Sequence, residues 1–198
     1  MSYLCRPIPI KRTAILTCMD SRIDLTRLAG QNEGDAYVIR NPGGRASDDA
    51  IRSLIISYKL FGTTEWFVIH HSKCGLELFT DEVIRAVLVS DEAVRALRAS
   101  TPTTPSNVEK NWKEGGPCPG SHRGDFIDWL TTTDQAQYVA LDVERIRKHP
   151  LVPGHIPIHG YIYQVETGRL VEVLEASQIG RATMSGIDCS SDACPGTT

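Results

Sequence analysis

Apolar and polar positions along the chain fall into short runs of two kinds. "TAILTCMD" (13–20), "AYVIR" (36–40) and "TEWFVIHH" (64–71) are β-rich and apolar, and the third is apolar almost throughout. Runs of that length and content predict strands, the third covered on both faces. Between the second and third lies "SDDAIRSLIISYKLFG", where Ile51, Leu54, Ile55 and Tyr58 recur at helical spacing. Ser47 or Asp48 stands ready to cap that helix and Gly62 to stop it. "RIDLTRLAG" reads as a short helical turn ending at Gly30. "TDEVIRAVLVSDEAVRAL" reads as a longer helix starting at Thr80 or Asp81. "DQAQYVALDVERIRKHP" predicts another helix, ending before Pro150. "GYIYQVETGRLVEVLE" predicts a strand, a Thr-Gly turn and a second strand.

Strands alternating with helices imply an α/β fold. The expected sheet is mostly parallel, with about four strands plus an antiparallel edge strand and helices on both faces. A single domain is expected over 1–176. The Pro-, Gly- and Ser-rich stretch 100–133 reads as a long loop, and 177–198 as a polar tail without fixed structure.

Open α/β sheets bind ligands beyond the carboxyl ends of their strands. Three of the predicted strands end in unusual chemistry there: Cys18, the turn after Asn41, and His71. Period-two alternation puts Cys18, Asp20 and Arg22 on one face of the first strand. His71 and Cys74 follow in "HHSKCG". Two thiolates and an imidazole converging on one point suit zinc, and three protein ligands leave a fourth position open for chemistry. His70, next to the ligand candidate, reads as a hydrogen-bonded core histidine.

Composition narrows the function classes. The chain has 198 residues and a net charge of −3, which gives no electrostatic footprint for nucleic acid or an anionic membrane. No apolar run reaches the about 18 residues of a membrane span, and no signal peptide is visible, so a cytoplasmic location is expected. Six cysteines without a secretion signal point to thiols or metal ligands more than to disulfides. Cys118 reads as a bystander. Cys189 and Cys194, in "CSSDAC", read as part of the unstructured tail.

"CMDSR" followed by "HHSKCG" resembles the β-class carbonic anhydrases, whose motif is C-x-D-x-R and then H-x-x-C. "VIRNPGG" and "TDEVIR" are most similar to the small bacterial and fungal branch, which includes carbonyl sulfide and carbon disulfide hydrolases. The resemblance is close over 12–88 and looser over 134–174. It implies one zinc ion per chain, held by Cys18, His71 and Cys74, with Asp20 and Arg22 as a dyad. In some members the equivalent Asp binds zinc and closes the site. Gly43 and Gly44 match the family's glycine pair beside the active site, and Gly75 is taken as a third pocket residue. Pro42 departs from the alanine of many members. A homodimer or homotetramer is implied as well.

The implied reaction is attack of a zinc-generated hydroxide on the carbon of a small linear molecule. CO₂ hydration to bicarbonate stands first, with hydrolysis of carbonyl sulfide or carbon disulfide as the alternative. A wider apolar mouth for sulfur would come from Leu76, Leu78 and Phe79 or from the 100–133 loop. Two readings of other classes compete. One is a non-catalytic zinc site closed by Asp20, for which the Arg22 guanidinium has no purpose. The other is thiol chemistry at Cys18, for which the chain has neither a C-x-x-C pair nor a phosphate-cradling loop.

Overall fold

The computed structural model describes residues 8–24, 30, 32–89 and 122–183. The turn after Asp24, the far end of the Thr80 helix, most of the 100–133 loop and Cys118, Cys189 and Cys194 lie outside the described residues. The chain divides into two compact units, 1–72 with 135–198, and 73–134.

The first unit is built on a five-stranded sheet of order β2-β1-β3-β4-β5. Its strands are β1 (Thr13–Cys18), β2 (Ala36–Asn41), β3 (Glu65–His71), β4 (Ile158–Gln164) and β5 (Arg169–Glu172). The β1·β2, β1·β3 and β3·β4 pairs are parallel, and only β5 is antiparallel, as the hairpin pattern predicts. β1 sits between two parallel neighbours and is buried at all six positions, which is why its sequence is unbroken by charge.

One face of the sheet carries the main core. Ala14 and Leu16 from β1, Trp66 and Val68 from β3, and Ile158 from β4 pack with Ile51 and Leu54 of α1 (Asp48–Lys59). Ser47 caps α1, its side chain accepting from the Ala50 amide. Val139, Val143 and Ile146 enter the same cluster from α3 (Gln135–Lys148), and Ala176 from α4 (Leu174–Ile179). Gly160 lets these two helices reach β4, for a Cβ there would collide with Ala176 and Val139. α4 carries regular structure across residue 177, where composition suggested that the tail begins. The chain then continues to Thr183, whose amide donates to Gly154.

One polar group crosses this apolar layer. Asp142 of α3 is 2% exposed and is reached by the Arg45 Nε at 2.6 Å and Nη2 at 3.3 Å, and by the His70 Nε2 at 3.0 Å. His70 is fully buried, and its Nδ1 lies 3.0 Å from the Gln135 side chain. It is the core histidine the sequence suggested, with its partners on a helix more than sixty residues away along the chain.

The second unit holds a 3-10 turn at Gly75–Leu78, α2 (Asp81–Val89) and a 3-10 turn at His122–Phe126. Thr80 Oγ1 accepts from the Val83 amide, as a helix cap should. Asp81 accepts from both the amide and the hydroxyl of Thr131.

The Asp142 carboxyl gives the fold a pH signature. Burial alone would raise its pKa, but hydrogen bonds from His70 and Arg45 outweigh that and hold it below the ordinary value. A carboxyl depressed in the folded chain contributes stability above its unfolded pKa of about 3.9, and this is lost as pH falls through the folded value. Asp142→Asn should therefore be less stable than the parent by about 3–5 kcal/mol at neutral pH. The gap should narrow as urea melts are repeated from pH 6 down towards pH 3, and a pH-independent gap would contradict the assignment.

Candidate metal centre

Three strands end side by side. Cys18 closes β1 in register with Asn41 of β2, and β3 runs past them to His71. The β1·β3 register, carried one step past Thr17↔Ile69, sets Cys18 beside His70, so the pleat puts Cys18 and His71 on opposite faces of the sheet. Both are the last residues of neighbouring strands, so their side chains meet beyond the edge. The donor atoms of Cys18, His71 and Cys74 all lie within 4.8 Å of one another, and all three residues are buried.

The state of His71 is legible from its bonds. Nδ1 faces the Ser72 carbonyl at 3.0 Å, and a carbonyl only accepts, so Nδ1 carries the hydrogen. In the neutral ring Nε2 is then the acceptor. It is buried and has no hydrogen-bond partner. Ser72 is itself fixed by the β4–β5 hairpin: its amide donates to Tyr163, its hydroxyl donates to Glu166 Oε2 at 2.6 Å, and that hydroxyl accepts from the Val165 amide.

Cys18 is fixed from the other side. After Asn41 the chain makes a 3-10 turn, Pro42–Gly44, and the Gly43 amide donates to the Cys18 sulfur at 3.3 Å. The Asn41 side chain closes this turn, accepting from the Arg45 amide at 2.8 Å and donating to the Arg45 carbonyl at 2.7 Å. Gly44, at φ +70°, lies so close to β1 that a Cβ would stand 2.9 Å from both the Cys18 nitrogen and the Thr17 carbonyl carbon. The glycine pair is thus packed against the end of β1. Pro42, which has no amide hydrogen, occupies the first position of the turn, where none is needed.

The sequence reading that alternation aligns Cys18, Asp20 and Arg22 is corrected here. β1 stops at Cys18, and Asp20 to Arg22 form a turn. Asp20 Oδ1 accepts from the Arg22 amide at 2.8 Å and from its Nε at 2.9 Å, while Oδ2 accepts from Nη2 at 2.7 Å. A two-residue Asx turn with a two-pronged guanidinium contact does what strand pleating was expected to do. These Arg22 bonds, against the opposing effect of burial, bring the Asp20 pKa down to about 2, so the carboxylate is charged at any physiological pH. Its Oδ2 lies 3.8 Å from His71 Nε2.

Arg40 holds this turn in place, and sequence reading missed it. Its guanidinium donates to the carbonyls of Cys18, Asp20 and Ile23 at 2.9, 2.8 and 3.3 Å. An arginine at the end of a strand of apolar residues, directly before Asn-Pro, was the available signal. Of the other expected pocket residues, Gly75 has open space where its Cβ would be. Leu76 and Phe79 are half-buried, and Leu78 is exposed.

The donor set fits zinc. It offers two sulfurs and an imidazole nitrogen, the nitrogen aimed with its lone pair unspent, and softness and number match a three-ligand zinc site. The histidine's second nitrogen bonded to a carbonyl is the outer arrangement common to metal-binding histidines.

Residues 13–170 match the family model described as carbonic anhydrase. The chain is 36% identical over 165 residues to β-carbonic anhydrase 1 of Mycobacterium tuberculosis, covering 83% of each chain. It is 34% identical over 166 residues to carbon disulfide hydrolase of Acidianus sp., covering 81% of this chain and 76% of that one. The crystal structure of carbonic anhydrase from Streptococcus mutans superposes with a TM-score of 0.65 at 37% identity, over 84% of this chain and 83% of that one.

The Gly44 contact can be tested. Gly44→Ala combines an unfavourable φ with an overlap against backbone that cannot swing away. It should lower stability by at least about 1–3 kcal/mol, read as a reduced urea midpoint with unchanged slope.

Proposed function

From the premise that this chain belongs to the β-carbonic anhydrase family, we propose that it is a zinc enzyme that hydrates CO₂ to bicarbonate. The observation that carries the proposal is the buried His71 ring, which has a nitrogen within 4.8 Å of two cysteine sulfurs, and whose Nε2 has no hydrogen-bond partner and lies 3.8 Å from an ionised carboxylate. Cys18, His71 and Cys74 would hold the metal. Zinc in such a site supplies Lewis acidity, bringing the pKa of a water down to about 7.

The chain's own groups supply orientation. Asp20, charged because Arg22 bonds it at both oxygens, is an acceptor only. Its Oδ2 takes the hydrogen bond of the attacking water and turns that water's lone pair towards the carbon of the substrate. Arg22 keeps the carboxylate from rotating, and its charge offsets that of Asp20. The same two-pronged contact ties both Asp20 oxygens to Arg22, which supports Asp20 as an orienting residue over Asp20 as a fourth ligand. The Gly43 amide donates to the Cys18 sulfur and so draws off part of a thiolate's charge. Oxygen then adds to carbon and a proton leaves to solvent, giving bicarbonate. Gly43, Gly44 and Gly75 are proposed to border the substrate.

A second reading has a specific basis: a carbon disulfide hydrolase is about as similar to this chain as a carbonic anhydrase is. Carbon disulfide and carbonyl sulfide present the same linear geometry and electrophilic carbon, with sulfide as the product. The protein is further proposed to be a homodimer or homotetramer in the cytoplasm. Among the described residues, no helix is long and apolar enough to cross a membrane.

Purified protein should carry about one zinc per chain. Stopped-flow CO₂ hydration should be rapid, with sulfide release from carbonyl sulfide or carbon disulfide slow on the same sample; the reverse ratio would move the assignment to the hydrolase. Asp20→Asn should keep its zinc and lose about 10–100-fold in turnover. Zinc-free protein with undiminished activity would refute the proposal.

A further inference from the structure

The buried carboxylate of Asp142 is more than a strut in the core, because one of its partners adjoins a metal donor in sequence and the other ends the turn that bonds a second donor. Arg45 closes the turn whose Gly43 amide donates to the Cys18 sulfur; the Asn41 side chain holds the Arg45 backbone at both its amide and its carbonyl. His70 is the covalent neighbour of His71. Asp142 Oδ2 accepts from Arg45 Nε at 2.6 Å and from His70 Nε2 at 3.0 Å, so one oxygen ties the two segments together.

α3 adds two further contacts from the same stripe. Gln135 meets His70 Nδ1 at 3.0 Å, and the Arg45 guanidinium lies over the Tyr138 ring, 4.6 Å from its centre. Residues 135, 138 and 142 recur at i, i+3 and i+7, so a single helix face presents all three. With side chains of Arg45 and Asp142 only 6% and 3% exposed, and His70 at 0%, little water is present to replace any lost bond.

We infer that Asp142 is a positioning residue of the metal centre, setting the separation of the Cys18 sulfur and the His71 ring through Arg45 and His70. This rests on the reading of Cys18, His71 and Cys74 as metal donors. Distance along the bridge decides what it can do. Asp142 touches no donor atom, so its loss leaves all three ligands present. What changes is how the Gly43 turn and the end of β3 are held apart. Metal affinity and ligand field are then the quantities that respond, through geometry and through the amide bond to the Cys18 sulfur.

The test uses the full-length chain, apo protein reloaded with Co²⁺ or Zn²⁺, with affinity measured by chelator competition and the Co²⁺ site by its visible and thiolate charge-transfer bands. Asp142→Asn and Asp142→Glu are compared at neutral pH, at a temperature where circular dichroism finds both fully folded. Asp142→Asn should lose about tenfold in Zn²⁺ affinity and shift the Co²⁺ bands, with Asp142→Glu recovering part of both. Should Asp142→Asn not yield folded protein, Arg45→Lys and His70→Gln carry the same test. Each should shift the bands, and the double variant should do little more than one alone, because both act through one carboxylate. Folded variants with parental affinity and unaltered Co²⁺ bands, changed only in melting temperature, would overturn the inference and leave Asp142 a structural residue. A parent chain that takes up neither metal would instead overturn the metal-centre reading beneath it.

Discussion

How closely the Pro42–Gly44 turn can approach the end of β1 governs everything at the carboxyl edge of this sheet. Backbone meets backbone there, with no room for a side chain at Gly44. That approach brings the Gly43 amide within reach of the Cys18 sulfur, and the Asn41 side chain keeps it there. The remaining constraints follow outward from this contact. Arg40, one residue before the turn, fixes the carbonyls after Cys18, and Arg45, one residue past it, enters the buried network with Asp142 and His70. A short segment, 40–45, thus sets the backbone on which a donor and a carboxylate are displayed.

Much of this was legible in sequence because the signals were local. Apolar runs gave the strands, Ser47 and Thr80 gave the helix starts, and the spacing of "CMDSR" and "HHSKCG" picked out residues that the fold gathers into a cluster. The geometry behind the cluster was not legible. Pleating was expected to align Cys18 with Asp20 and Arg22, but the strand had already ended, and an Asx turn makes the pairing instead. Turn chemistry overrode period-two alternation, and nothing in "DSR" alone states where the ladder stops. Arg45 and Asp142 stayed unread for a different reason. They are 97 positions apart, and a helical stripe of Gln135, Tyr138 and Asp142 looks in sequence like an ordinary solvated face.

The family relation and the site geometry bear on different questions. The relation covers fold and ancestry, and its members include proteins named for two different substrates at almost the same similarity to this chain. The geometry bears on what those chemistries share: a nitrogen lone pair kept dry and unspent, sulfur beside it, and a carboxylate that stays charged. Choice of substrate belongs to whatever shapes the space above the cluster, and the donor atoms themselves are indifferent to it.

The tandem histidines at the end of β3 have a consequence for anyone moving this motif elsewhere. Successive strand residues face opposite ways, so one imidazole, itself buried, turns towards the two cysteines while its neighbour is driven into the apolar layer. The inward ring is tolerable because a carboxylate and an amide are waiting for it on α3. A designer who grafted only the His-x-x-Cys spacing and the Cys-x-Asp-x-Arg segment onto another parallel sheet would import a buried polar ring without its partners. The transplant would have to carry a piece of a helix that touches no donor atom, or exchange the first histidine for an apolar residue.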